Sequence, residues 1–198
     1  MDRRKALRTI GFGTTAITLT PAVVGMLQSC QSQTTTFSPI HFSKDEFSVV
    51  SQLMDLIIPE TDIPGAIELK LPEFLDGFIE TILNKQAQKK IADSLDQFIA
   101  VSLKDTGKSS ASRLDRSDLD AQLTKYLKTD QQQNSSGQED KAYKTASAFA
   151  KQLRSMTINA FKTNEYIGEN IMAYAPIPGE QKGCVDLMET TGGKAWSL

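Results

Sequence analysis

A glycine-rich stretch near the start of the chain is the first place where the residue types could do chemistry. Residues 11–16 read GFGTTA and match the G-x-G-x-x-A turn that cradles the pyrophosphate of a dinucleotide. Such a turn follows a buried strand, and a carboxylate that binds the ribose stands about 20 residues later. Here the basic segment MDRRKALRTI precedes the turn, and Thr34 and Thr35 stand where the carboxylate would be. The spacing therefore argues against a dinucleotide site.

The same stretch is typical of an export leader. Basic residues at the start of the chain precede an uncharged, mildly apolar run at residues 10–27, which is the order found in signal peptides. The segment DRRKALR resembles the twin-arginine motif, from which Asp2 and Ala6 depart. We expect Arg3 and Arg4 to be the export signal and the chain to leave the cytoplasm by the twin-arginine route.

The leader ends in LQSC, which resembles a lipobox with Cys30 as the lipid acceptor. Leu27 and Ser29 occupy positions that suit such a motif. We predict a signal peptide at residues 1–29 and a lipidated polar tether at residues 30–42, anchored on the periplasmic side of a bacterial membrane. The alternatives are plain secretion and an uncleaved anchor, since the apolar run is close to the shortest helix that spans a bilayer.

Few residue types elsewhere could bind a metal or catalyse a reaction. The chain has two cysteines, Cys30 and Cys184, and one histidine, His41. If Cys30 carries lipid, Cys184 has no partner for a disulfide within the chain, and we expect a buried, inert thiol. His41 alone cannot build a histidine cluster for zinc or a Ser-His-Asp relay. The sequence therefore predicts no catalytic residue, no metal and no cofactor in this chain.

Three carboxylates around the Pro64-Gly65 turn could be taken for an acid–base pair: Glu60, Asp62 and Glu68. Such catalysis needs a pocket that raises one of the pKa values, and the sequence around the turn gives no sign of one. We interpret these residues as a solvated acidic loop. An enzyme that hydrolyses its substrate at Asp62 is the distant alternative.

The charge balance excludes one class of partner. The formal net charge is −2, and loss of residues 1–29 removes four positive charges and one negative, which leaves about −5 on the mature chain. Nucleic-acid binding requires a concentrated basic patch. We therefore expect no nucleic-acid partner.

The sequence after the leader and tether predicts a series of helices. Ser43 and Glu46 form a capping box, and apolar residues then recur at helical spacing until Pro59. Four more helices are predicted from Pro72 through Leu83, from Gln86 to Leu103, within DRSDLDAQLTKYLK, and from Asp140 to Phe161. We expect the helix after Pro72 to have one inward apolar face: Leu75, Phe78, Ile79, Ile82 and Leu83. Residues 43–198 are therefore predicted to form a single all-α domain, a small irregular bundle of about five or six helices.

The segment after Phe161 differs from the bundle. It begins as a short helix, becomes rich in proline and glycine, and ends with the only tryptophan, Trp196. Extended segments that contain proline cannot pair their backbone groups internally, so they lie on a surface. That surface belongs either to the domain itself or to a partner.

Two stretches resemble the gluconate 2-dehydrogenase subunit 3 family. The first is FSKDEFSVVSQLMDLIIPETDIPGA followed by LPEFLDGFI, and the second is FKTNEYIGENIMAYAPIPGEQKGCVDL with a terminal tryptophan. The IIPETDIPGA turn and the TNEYIG, PIPG and KGC pieces of the ending are the most telling parts. The likeness covers most of the chain.

The resemblance implies a non-catalytic small subunit of a membrane-associated dehydrogenase that oxidises sugars or polyols. In such complexes a large subunit of the glucose-methanol-choline (GMC) type binds FAD, and a cytochrome c subunit is a further partner. The small subunit is expected to assist export, maturation or anchoring of the flavoprotein. The implied partner interface has nine positions: Glu165, Tyr166, Gly168, Tyr174, Pro176, Pro178, Gly179, Gly183 and Trp196. Each of them could instead act locally, in a turn or as a cover over the end of the bundle.

A hypothesis of a different class is a free-standing periplasmic interaction or scaffold lipoprotein without an enzyme partner. Both hypotheses predict a colourless purified chain. They differ in whether a larger flavoprotein co-purifies with it.

Overall fold

The computed structural model describes residues 37–128, 138–175, 179 and 183–197. The α-helices in these ranges are α1 (Lys44–Ile57), α2 (Leu71–Ile82), α3 (Lys85–Thr106), α4 (Arg116–Lys128), α5 (Gln138–Lys162) and α6 (Leu187–Thr191). A 3₁₀ turn at Ala111–Arg113 and a π-helical turn at Ile167–Ile171 accompany them. The described ranges contain no β-strand, so the predicted all-α bundle is confirmed.

Several predicted features lie outside the described residues. These are the leader with Arg3 and Arg4 and the lipidation site Cys30. Among the residues that the structure does describe, no helix combines the length and the apolar character that crossing a bilayer requires.

The capping box fixes where α1 begins. The backbone N–H of Glu46 donates to the Ser43 hydroxyl at 3.3 Å, and the backbone N–H of Ser43 donates to the Glu46 carboxylate at 2.7 Å. Two N–H groups that a helix start leaves without partners are thereby paired. The helix then buries Leu53 and Met54 completely and ends at Ile57, close to the predicted stop.

Gly65 allows the tight turn between α1 and α2. The backbone N–H of Ala66 donates to the carbonyl of Ile58 at 2.9 Å, so the chain folds back on the end of α1. A Cβ atom at Gly65 would lie only 2.5 Å from the backbone nitrogen of Glu60. No side chain fits in this space, which gives a packing reason for the glycine in the IIPETDIPGA turn.

The core is built around α3, which packs most extensively against α5. Phe98 of α3 is fully buried, and its ring centroid lies 5.5 Å from that of Phe149 in α5 and 6.0 Å from that of Tyr126 in α4. Burial of one such ring contributes about 1.5–3 kcal/mol. Three helices therefore meet at one aromatic cluster.

A polar contact joins the same three helices at Asp105 of α3. Its carboxylate accepts hydrogen bonds from Tyr143 of α5 at 2.7 Å and from Lys125 and Gln122 of α4 at 2.8 and 3.1 Å. Partial burial raises the pKa of Asp105, but the three donors outweigh it, and the net pKa lies below its usual range. The charged carboxylate is therefore the form that this junction stabilises.

A buried carboxylate on α2 fixes the point where the chain enters the bundle. Asp76 is fully buried. Its Oδ2 accepts the backbone N–H of Ile40 at 2.8 Å, and its Oδ1 accepts those of His41 and Phe42 at 3.1 and 3.0 Å. Three donors compensate the cost of removing the charge from water. We call this arrangement the Asp76 clasp.

His41 takes a structural position beside the clasp. Its side chain is only 9% exposed, and its Nδ1 lies 3.1 Å from Oε2 of Glu80. Hydrogen bonds from Lys85 and His41 lower the pKa of Glu80. His41 is therefore a largely buried residue that joins the start of the domain to α2.

We expect Gly65→Ala to lower the free energy of unfolding by about 1–3 kcal/mol, because the new Cβ must push the backbone of Glu60 aside. Thermal unfolding followed by circular dichroism measures the change. Gly183→Ala is the control, since Gly183 is exposed and its Cβ would meet open space. Equal melting temperatures for the two variants would show that Gly65 does not pack closely against the backbone of Glu60.

Asp76→Asn should cost about 2–4 kcal/mol of stability, because an amide offers one acceptor oxygen and turns its own N–H groups toward backbone donors. Chemical denaturation of the purified chain gives the value. The matched variant Asp93→Asn removes an exposed carboxylate that bonds Lys89 on its own helix and should leave stability almost unchanged. The clasp is not important for folding if both variants unfold at the same denaturant concentration.

Candidate partner-binding surface

The segment after α5 is tied to the fold at its start. The Asn164 side chain accepts the backbone N–H of Tyr166 at 3.0 Å, and the N–H of Gly168 donates to the carbonyl of Asn164 at 2.9 Å. Ile167, only 1% exposed, anchors the π-helical turn in the protein. The predicted short helix is therefore present, and most of it has π geometry.

The end of the chain folds back onto this segment. The N–H of Ala173 donates to the carbonyl of Ala195 at 2.8 Å, and the N–H of Ser197 donates to the carbonyl of Ala173 at 2.9 Å. These bonds form a single parallel bridge between Ala173 and Trp196. Gly168 lies next to it, since a Cβ there would be 3.7 Å from Cβ of Ser197. The backbone position of Trp196 is thus fixed by hydrogen bonds within the chain.

The short helix α6 is capped at both ends. The Asp186 carboxylate accepts the backbone N–H of Glu189 at 2.8 Å, and Gly192 ends the helix in the left-handed conformation, with φ of 62°. Glycine adopts this conformation without the steric cost that a Cβ brings. The capped helix leaves Leu187 and Met188 exposed.

The segment after α5 carries several large apolar side chains that are exposed to solvent. Six of the eleven exposed large apolar side chains among the described residues lie after α5, so exposed apolar residues are concentrated in this part of the chain. We call them the C-terminal surface: Tyr166, Tyr174, Val185, Leu187, Met188 and Trp196.

The nine predicted interface positions fall into different groups. Three exposed aromatic residues belong to the C-terminal surface: Tyr166, Tyr174 and Trp196. Three more positions are exposed but not apolar: Glu165, Gly179 and Gly183. Gly168 is half-buried, and two positions lie outside the described residues: Pro176 and Pro178. Contact of these positions with a partner stays a prediction. The expectation that Cys184 is buried is wrong, since Cys184 is a free, exposed thiol.

A second apolar surface lies on α2, where the sequence predicted only a core-facing stripe. Leu75 and Ile79 are buried as expected. Ile82 is 68% exposed and Phe78 is only half-buried, which corrects the prediction that both face inward. Phe74 is 54% exposed, and its ring stacks on that of Phe78 with centroids 6.0 Å apart. We define the α2 outer face as Phe74, Gly77, Phe78, Thr81 and Ile82. Its signal in the sequence is the excess of apolar residues in LPEFLDGFIETI over what a single stripe requires.

The acidic turn between α1 and α2 does not resemble a reaction site. Its three carboxylates are all exposed: Glu60, Asp62 and Glu68. In the described ranges, no group of three or more His, Cys, Asp or Glu residues could hold a metal ion. A shallow groove of about 380 Å³ lies along α1. The Ser51 hydroxyl at its wall donates to the carbonyl of Phe47 in the same helix, so its hydrogen is already engaged there. The interpretation as a solvated loop agrees with these positions.

Comparison with known proteins identifies a family. The sequence profile of the gluconate 2-dehydrogenase subunit 3 family matches residues 44–179. This range starts with α1, includes the whole α2 outer face, and ends before α6 and Trp196. It confirms the resemblance seen in the sequence motifs. Neither a curated protein nor a solved structure matches the chain.

The C-terminal surface should contribute little to folding, because its side chains are exposed in the chain itself. We expect Trp196→Ser to change the free energy of unfolding by less than about 1 kcal/mol. Ile167→Ala, which empties a buried site in the same segment, should cost about 2–4 kcal/mol. Chemical denaturation of both variants gives the two free energies of unfolding for comparison. Equal losses would mean that Trp196 covers the bundle and is not available to a partner.

Proposed function

The chain belongs to the gluconate 2-dehydrogenase subunit 3 family, and we propose that it is the non-catalytic small subunit of a membrane-associated, FAD-dependent dehydrogenase of the gluconate type. The large flavoprotein subunit oxidises a sugar or polyol. This chain assists the export, maturation or anchoring of that subunit. The observation that carries the proposal is the family match, which spans every helix from α1 to α5.

The C-terminal surface supports a binding role. Tyrosine, tryptophan and methionine are enriched at protein interfaces, where they provide large contact areas. Trp196 and Tyr174 stand on a backbone that the bridge at Ala173 already holds in place. A surface whose backbone is ordered before binding loses less conformational entropy when a partner docks.

The leader supports a role in export. A twin-arginine-like signal at Arg3 and Arg4 directs a folded protein across the membrane, so a flavoprotein bound to this chain could cross with it on one leader. Lipid at Cys30 would then hold the complex on the periplasmic side of the membrane. In such a complex the electrons leave the flavin through a further partner, a cytochrome c subunit.

The flavin belongs to the large subunit in this proposal. Within the present chain, the glycine turn at residues 11–16 is part of the leader and is removed with the signal peptide. His41 is engaged by Glu80, next to the backbone that the Asp76 clasp holds. The role of this chain is therefore to bind the flavoprotein and to position it at the membrane.

We expect the tagged full-length chain, purified in mild detergent from the membranes of its host, to bring with it a larger subunit that shows flavin absorption. Lysine substitution of both Arg3 and Arg4 should leave the two subunits together in the cytoplasm, because the export machinery reads the arginine pair. Mass spectrometry of each fraction identifies the subunits.

Cys30→Ala is the matched control for anchoring. It should keep the complex intact and abolish acylation of the chain, because residue 30 is the predicted lipid acceptor. A colourless eluate without a flavoprotein contradicts the proposal and favours a free-standing scaffold lipoprotein.

A further inference from the structure

The α2 outer face contains a glycine that the fold itself does not require. Gly77 lies inside α2, where glycine is clearly less favourable than alanine. A Cβ atom at this position would meet no atom within 4 Å, and Gly77 is not among the glycines with positive φ. Neither a close contact nor an unusual backbone conformation in the described chain explains it.

The residues around Gly77 form a ridge and a groove of the kind found where helices pack together. A ridge is formed by apolar residues four positions apart: Phe74, Phe78 and Ile82. The neighbouring row, also with a spacing of four, forms a groove: Glu73, Gly77 and Thr81. When two helices pack, the ridge of one lies in the groove of the other. The missing side chain at Gly77 makes this groove deep enough for a close approach.

The hydroxyl of the groove is already paired. The Thr81 hydroxyl donates to the carbonyl of Gly77 at 2.7 Å. Burial of this hydroxyl therefore adds no unpaired polar group, and only the Glu73 carboxylate at the edge of the groove needs a partner when the face is covered. The three residues of the ridge carry no charge. The face can be buried by an apolar partner without a large desolvation cost.

The charges at the border indicate the kind of partner. Glu73 borders the groove, and Glu68 and Lys70 lie just before α2. Neither glutamate forms an ion pair in the described part of the chain, and Lys70 offsets only one of the two charges. An anionic lipid surface would repel this border. A protein surface with a basic side chain beside an apolar helix is complementary to it.

We propose that the α2 outer face binds a helix of the large flavoprotein subunit. An apolar ridge of that helix lies in the groove at Gly77 and Thr81, and a basic residue of the same subunit stands near Glu73. This inference rests on the proposed function and adds a docking site that is separate in sequence from the C-terminal surface. The site lies entirely within the residues that match the family.

Substitutions at Gly77 separate folding from docking. Gly77→Ala and Gly77→Leu both replace glycine with strong helix formers at a position with open space. We expect each variant to melt about 2–4 °C above the natural chain. Leucine fills the groove, so Gly77→Leu should reduce the flavoprotein that co-purifies with the full-length chain by about tenfold or more. A surface variant on α5, Gln152→Leu, also adds an exposed leucine and should leave the yield unchanged.

Four outcomes would overturn the inference. If the natural chain captures the flavoprotein and Gly77→Leu captures as much, the docking site is elsewhere and the proposed function stands. If the natural chain captures none, the proposed function fails as well. If Gly77→Leu retains the flavoprotein but no longer binds vesicles of phosphatidylethanolamine and phosphatidylglycerol, the face contacts lipid. If Gly77→Leu retains the flavoprotein and instead converts a dimer of this chain into a monomer, the face binds a second copy.

Discussion

The Asp76 clasp is the interaction that determines which side of α2 faces the protein and which side is exposed. A fully buried carboxylate is stable only because three backbone N–H groups surround it, and those groups belong to the segment that leads into α1. This segment therefore runs along the inner side of α2. Since helical geometry places Phe74 almost opposite Asp76 on α2, the clasp faces the protein and the α2 outer face looks away from it.

The two exposed apolar surfaces gain their order from different kinds of contact. The α2 outer face is held by the buried side of its own helix, where Leu75 and Ile79 join the core. The C-terminal surface has little core beneath it and depends on Ile167, the bridge at Ala173 and the caps of α6. A small chain of this design presents apolar surfaces on two separate segments, which suits the accessory role that we propose.

Local sequence patterns predicted most of the bundle but not the side on which each apolar residue would lie. The capping box at Ser43 and the helical spacing of the apolar residues up to Pro59 depend on neighbours within one or two turns, so they could be predicted from the sequence alone. Ile82 was placed wrongly because α2 is apolar on more than one side, and periodicity alone does not say which side meets the core. The partners of Asp76 lie at least 34 residues earlier in the chain, and no local signal links them. The same limit applies to the bridge between Ala173 and Trp196.

We propose that this chain acts by binding a flavoprotein through its exposed apolar surfaces. Hydroxyl-radical footprinting of the purified complex, compared with the isolated chain, tests it most directly, because aromatic side chains react according to their exposure. We expect Phe74, Tyr174 and Trp196 to lose reactivity in the complex, while the buried Phe98 reacts little in both states. Unchanged reactivity at all three exposed positions in a complex that contains the flavoprotein would contradict it.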